Sequence, residues 1–138
     1  MSVIDMQTMR YINLLDRASQ VKTRKCFVYN GTIIFAVPGN MVSQAIGPDA
    51  INIRRLQEKI GKRIRIVREA ASSYDAERFV QDIVMPAKFK SIEIKENELI
   101  ISAGSVQNKA TLLGRNKKRF EELKTIVEDT FGLELKVN

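Results

Sequence analysis

An α+β fold made of two copies of one small unit is what this sequence predicts, from three observations. Short segments of alternating apolar and polar residues, the mark of half-buried strands, are interleaved with stretches of helical period. The same order of segments runs twice along the chain. A glycine loop recurs at the same place in each run, at Gly47 and again at Gly114, 67 residues on, so that Ile46-Gly47 aligns with Leu113-Gly114 and Leu56 with Leu123. Self-similarity of this kind is the signature of a duplicated supersecondary unit. The expected division is 1–70 and 71–138, each unit a small mixed sheet packed with helices.

In the first unit, Ser2 to about Ser19 predicts a helix. Ser2 can cap it, Asp5 follows three residues later to answer the cap, and Ile4, Thr8, Tyr11, Leu15 and Ala18 lie along one face. Lys25 to Tyr29 and Thr32 to Val37 predict two strands joined at Asn30-Gly31, a pair tolerant of positive φ and a strong hairpin signal. Pro38-Gly39-Asn40 breaks the second strand. A short helix over Met41 to Ile46, the loop Gly47-Pro48-Asp49-Ala50 and a helix from about Ala50 to Ile60 follow, with Gly61 as the stop. Lys62 to Val67 predicts a third strand, with Ile64 and Ile66 on one face and Arg63 and Arg65 on the other.

In the second unit, Ser73 to Val84 predicts a helix capped by Ser73, with Pro86 beyond its end. Ser91 to Ile94 and Glu98 to Ile101 form a hairpin around Glu96-Asn97. A short helix over Val106 to Leu113 leads into Gly114-Arg115-Asn116-Lys117. A helix from Lys118 to about Thr130 places Phe120, Leu123, Val127 and Phe131 on its core face. It is about one turn longer than its counterpart, Gly132 stops it, and Leu133 to Val137 is the last strand. Tyr11, Leu15, Ile53, Leu56, Phe120 and Leu123 are the simplest core candidates. Tyr29 and Tyr74 are read as core or surface packing in preference to RNA contact, and Glu121-Glu122 and Glu128-Asp129 as solvated charge.

Composition narrows the function. The 138 residues include one cysteine and no histidine. That argues against a zinc site, which takes about four N or S ligands, and against Ser-His-Asp or Cys-His catalysis. No catalytic residue, cofactor, metal or small-molecule substrate is expected. Cys26 lies in an apparent strand and reads as a small half-buried core residue, not a reactive thiol. No apolar run approaches the roughly 20 residues that cross a bilayer. Met1 to Asp5 has no basic region leading into an apolar stretch, so a cytoplasmic chain without membrane partners is expected. The net charge is +7, which favours a polyanionic partner. All of the excess falls in residues 1–70, which carry 12 Lys and Arg against 5 Asp and Glu; residues 71–138 carry 11 of each. Arg54, Arg55, Lys59, Lys62, Arg63, Arg65 and Arg68 crowd one stretch with Glu58 alone between them.

The segment Ala45-Ile46-Gly47, followed by Ile51-Asn52-Ile53-Arg54-Arg55-Leu56 and then Gly61-Lys62-Arg63-Ile64-Arg65-Ile66-Val67, resembles the core of a KH domain. Its marks are an Ile-Gly-x-x-Gly turn, an Asn-Ile-x-x-Leu helix and a Gly-Lys-x-Ile-x-Val strand. With a helix and a strand in front, the order resembles the type II arrangement. Two such units in one short chain resemble the archaeal NusA-like transcription factors. The resemblance implies single-stranded RNA as partner, RNA polymerase as a further partner, and a role in transcription elongation or termination. In a KH module the glycine loop clamps about four nucleotides. Carried over residue by residue, this places RNA contacts at Gly47, Pro48, Asp49, Ala50, Asn52, Arg54 and Arg55, and at Gly114, Arg115, Asn116, Lys117, Lys118 and Arg119. A tight glycine turn is expected to let a nucleic-acid backbone approach, with the free N–H groups of the next helix facing phosphate. The sequence departs from the pattern at the last loop glycine, which is Ala50 in one loop and Lys117 in the other, and Asp49 sets a negative charge where phosphate is expected. Those departures keep a second reading open, a protein-interaction module with weakened RNA binding; a third puts the same RNA-binding modules in ribosome-linked RNA processing.

Overall fold

A computed structural model describes residues 5–138. The chain separates into two compact units, with the division between Glu69 and Ala70. Each is a three-stranded mixed sheet with three helices, a KH-like fold of the type II order.

The first unit opens with α1 (Met6–Ser19), capped by Asp5, whose carboxylate accepts the Thr8 N–H at 2.7 Å. That bond, with help from the Thr8 hydroxyl, holds the Asp5 carboxyl below its ordinary pKa. The expected cap at Ser2, and Ile4 on the helix face, lie outside the described residues. Gln20 closes the helix in a left-handed conformation, its N–H donating to the Asp16 carbonyl. Strands β1 (Lys25–Tyr29) and β2 (Thr32–Val37) pair antiparallel across Asn30-Gly31, both at positive φ as a tight hairpin requires. A 3-10 turn over Gly39–Met41 precedes α2 (Val42–Ile46), so the expected Met41–Ile46 helix is shorter and starts tighter. Then come α3 (Ile51–Ile60), stopped by Gly61 at φ 80°, and β3 (Arg63–Arg68), which pairs parallel to β2. A parallel neighbour needs a crossover, and α2, the glycine loop and α3 are that crossover. Helices α1 and α3 close over one sheet face, where Tyr11, Leu14, Leu15, Ile33, Phe35, Val37, Leu56 and Ile64 form the core, with Ile53 and Cys26 packed at its margin.

The second unit repeats the plan. A 3-10 turn over Ser73–Asp75 leads into α4 (Ala76–Val84). The capping hydroxyl is that of Ser72, accepting the Tyr74 N–H, not that of Ser73 as expected, because the 3-10 turn starts one residue earlier than an α-helix would. Strands β4 (Ser91–Lys95) and β5 (Glu98–Ser102) pair antiparallel, and β6 (Glu134–Val137) joins β5 in parallel. Between them lie α5 (Val106–Leu113) and α6 (Lys118–Phe131). Helix α6 has 14 residues against 10 in α3, the predicted extra turn. Phe79, Ile83, Leu99, Ile101, Leu112, Leu123 and Val127 are fully buried. Phe79 meets Phe131 edge to face, with ring centroids 5.8 Å apart.

Candidate nucleic-acid interface

Each crossover bends at a glycine where any other residue would be strained. Gly47 ends α2 at φ 79°, ψ 165°, and Gly114 ends α5 at φ 73°, ψ 177°, a region open almost only to glycine. Space is also short. A Cβ on Gly47 would lie 2.7 Å from Nδ2 of Asn52, and one on Gly114 would lie 2.8 Å from Cγ of Arg119. The room next to each glycine is therefore filled by the following helix. Each glycine thus makes room for a side chain of the helix that follows it.

The residue that fills this room also braces the loop. Asn52 Nδ2 donates to the Gln44 carbonyl at 3.0 Å, and Gln44 Nε2 donates to the Ser19 carbonyl at 2.9 Å, which ties α3, α2 and the end of α1 together. In the second unit Arg119 Nη1 reaches the Thr111 carbonyl at 3.4 Å. The two braces stand at matching positions, five residues after the glycine and aimed at the carbonyl three before it. Asn52 is buried at 8% exposure and Arg119 is half-buried. Of the expected contact residues, these two are turned toward the protein.

Beyond the glycine both loops trace the same path. Asp49 (φ 53°, ψ 30°) and Ala50 (φ 58°, ψ 31°) are left-handed, as are Asn116 (φ 55°, ψ 29°) and Lys117 (φ 59°, ψ 24°), before Ile51 and Lys118 enter their helices. Asp and Asn tolerate this region; Ala and Lys carry a Cβ penalty of about 1–2 kcal/mol. The need for positive φ is the physical reason a second glycine suits this place, and both loops do without it.

The rest of the expected set faces outward. Pro48, Asp49, Arg54 and Arg55 are exposed around the first loop, with Gly47 and Ala50 half-exposed; Arg115, Asn116, Lys117 and Lys118 are exposed around the second, with Gly114 half-exposed. Neither α3 nor α6 has a side-chain cap, whereas Asp5 caps α1 and Ser105 caps α5. Ile51 and Lys118 donate their N–H groups to the Pro48 and Arg115 carbonyls of the 3-10 turns in front, and the helix starts behind them present the positive end of a helix dipole, a setting suited to phosphate oxygen. Tyr29 is buried, as read from sequence, but Tyr74 is 97% exposed and packs against nothing that would hide it. Cys26 is partly buried, and desolvation pushes its thiol up to about 12, which suits an inert core residue. Among the described residues no group of His, Cys, Asp and Glu is placed to hold a metal ion, and no helix is long and apolar enough to cross a membrane.

No protein-family model matches the chain. It is 27% identical over 128 residues to a probable transcription termination protein NusA from Halococcus morrhuae, a match spanning 91% of this chain and 90% of that one. It also resembles the crystal structure of APE1850, an archaeal protein, at 26% identity and a TM-score of 0.68, covering 98% of this chain and all of the other.

Proposed function

We propose that this archaeal NusA-like chain binds single-stranded RNA through its two glycine loops and the helices behind them, as a non-enzymatic factor modulating transcription elongation or termination. One observation carries the reading. Two loops of matching backbone each set an exposed tip before an uncapped helix start, and exposed cations stand beside both. The positive end of a helix dipole together with Lys and Arg favours a phosphate backbone. Similarity to a transcription termination protein supports transcription as the setting and makes RNA polymerase a further partner to test. The cytoplasm is the proposed location.

Fluorescence anisotropy on labelled single-stranded RNA, titrated with salt, tests the first part. The expected result is binding well above that of an unrelated basic protein, weakening steeply as salt rises. Binding no better than that control, in both the natural chain and Asp49→Gly, would favour a protein-interaction module. Copurification with RNA polymerase supports the transcriptional role; copurification with ribosomal subunits alone supports the processing alternative.

A further inference from the structure

The two loops share a backbone but not a charge. Placing 47 on 114 sets Pro48-Asp49-Ala50 opposite Arg115-Asn116-Lys117, and sets Arg54-Arg55 opposite Glu121-Glu122. The first loop is acidic with a basic helix behind it. The second loop is basic with an acidic helix behind it. Because the φ and ψ angles of the two loops agree closely, side-chain charge and not loop shape distinguishes them.

From this exchange we infer that the two units hold RNA phosphates with different elements. In the second unit the loop itself is the handhold, through Arg115, Lys117 and Lys118. In the first unit it is α3, through Arg54 and Arg55, while the loop tip holds no phosphate. This inference rests on the RNA-binding reading above. The physical grounds are local. The carboxylate of Asp49 is exposed at the first loop tip, and an exposed like charge about 4 Å from a phosphate costs on the order of a fivefold change in binding. Arg54 and Arg55 are exposed one turn further on. At the corresponding place in the second unit Glu121 is exposed and Glu122 half-exposed, so a phosphate that rests on α3 would be repelled from α6.

A reciprocal exchange at one pair of positions separates this inference from equal use of both loops. Asp49 and Asn116 occupy the same left-handed conformation, which both residue types tolerate, so Asp49→Asn and Asn116→Asp alter charge and leave the fold intact. Anisotropy with a labelled single-stranded RNA is expected to show Asn116→Asp weakening binding about fivefold and Asp49→Asn changing it less than twofold. The double variant Arg54→Ala/Arg55→Ala, at two exposed positions, is expected to flatten the salt slope by about 1.4, from about 0.7 for each phosphate contact on a single strand. If Asp49→Asn strengthens binding as much as Asn116→Asp weakens it, or if losing both arginines leaves the slope unchanged, the inference fails while RNA binding stands. If the natural chain does not bind RNA above the basic control, the functional reading fails with it.

Discussion

At Ala50 and Lys117 the backbone adopts a conformation that disfavours any side chain with a Cβ, and the cost is local enough to measure. Ala50→Gly should raise unfolding stability by about 1 kcal/mol, read as a higher urea midpoint at unchanged slope. Lys117→Gly should do the same for stability and yet weaken RNA binding, because it removes a cation from the loop tip. A Lys117→Gly variant that loses stability would refute the strain assignment. Cys26 makes a second prediction. With its thiol pushed up to about 12 by burial, the thiolate needed for alkylation is scarce at neutral pH. Iodoacetamide at pH 8 should modify the native chain more than tenfold more slowly than the urea-unfolded chain, because burial raises the thiol pKa. Native and unfolded rates within tenfold would mean that the thiol is not desolvated. The linkage has a definite sign: a thiol raised in the folded state contributes stability below its unfolded pKa, and that contribution is lost as pH climbs through the alkaline range.

Among the elements, α1 depends most visibly on one ionised group. Its first turn is closed by the Asp5 carboxylate on the Thr8 N–H. Since that bond lowers the Asp5 pKa, its contribution is complete above the ordinary carboxylate range and disappears as pH falls through the folded value. Acid should therefore fray the start of α1 before the rest of its unit unfolds, seen as loss of amide protection at Thr8 and Met9. Asp5→Asn, which can still cap, should remove the pH dependence. Uniform protection of α1 down to the global acid transition would contradict this. Helices α3 and α6 contrast with α1. They begin without a side-chain cap and are entered instead through 3-10 turns, whose Pro48 and Arg115 carbonyls accept the Ile51 and Lys118 N–H groups.

For the whole chain, the charge is lopsided along the sequence. Residues 1–70 hold the entire positive excess, but the exposed cations at a loop tip belong to the second unit, at Arg115 and Lys117. If Arg54, Arg55, Arg115, Lys117 and Lys118 each neutralise one phosphate, the logarithm of the RNA association constant should fall with the logarithm of salt at a slope of about −3.5, about 130-fold between 50 and 200 mM. A slope nearer zero would show that phosphate contacts do not supply the affinity.

The repeat, the order of elements, the hairpin at Asn30-Gly31 and the extra turn in α6 could all be read from sequence. They depend on local rules: period, glycine punctuation and turn residues that tolerate positive φ. The exposed loop and helix cations could be read in the same way. What Gly47, Asn52, Gly114 and Arg119 do could not. Asn52 and Arg119 are polar residues beside a loop, and nothing in their spacing separates a ligand contact from a brace to the carbonyls of Gln44 and Thr111. That choice is made by the close approach of two helices in space. Packing leaves no room for a Cβ on either glycine and turns those two side chains inward, leaving the cations and loop tips around them to face solvent.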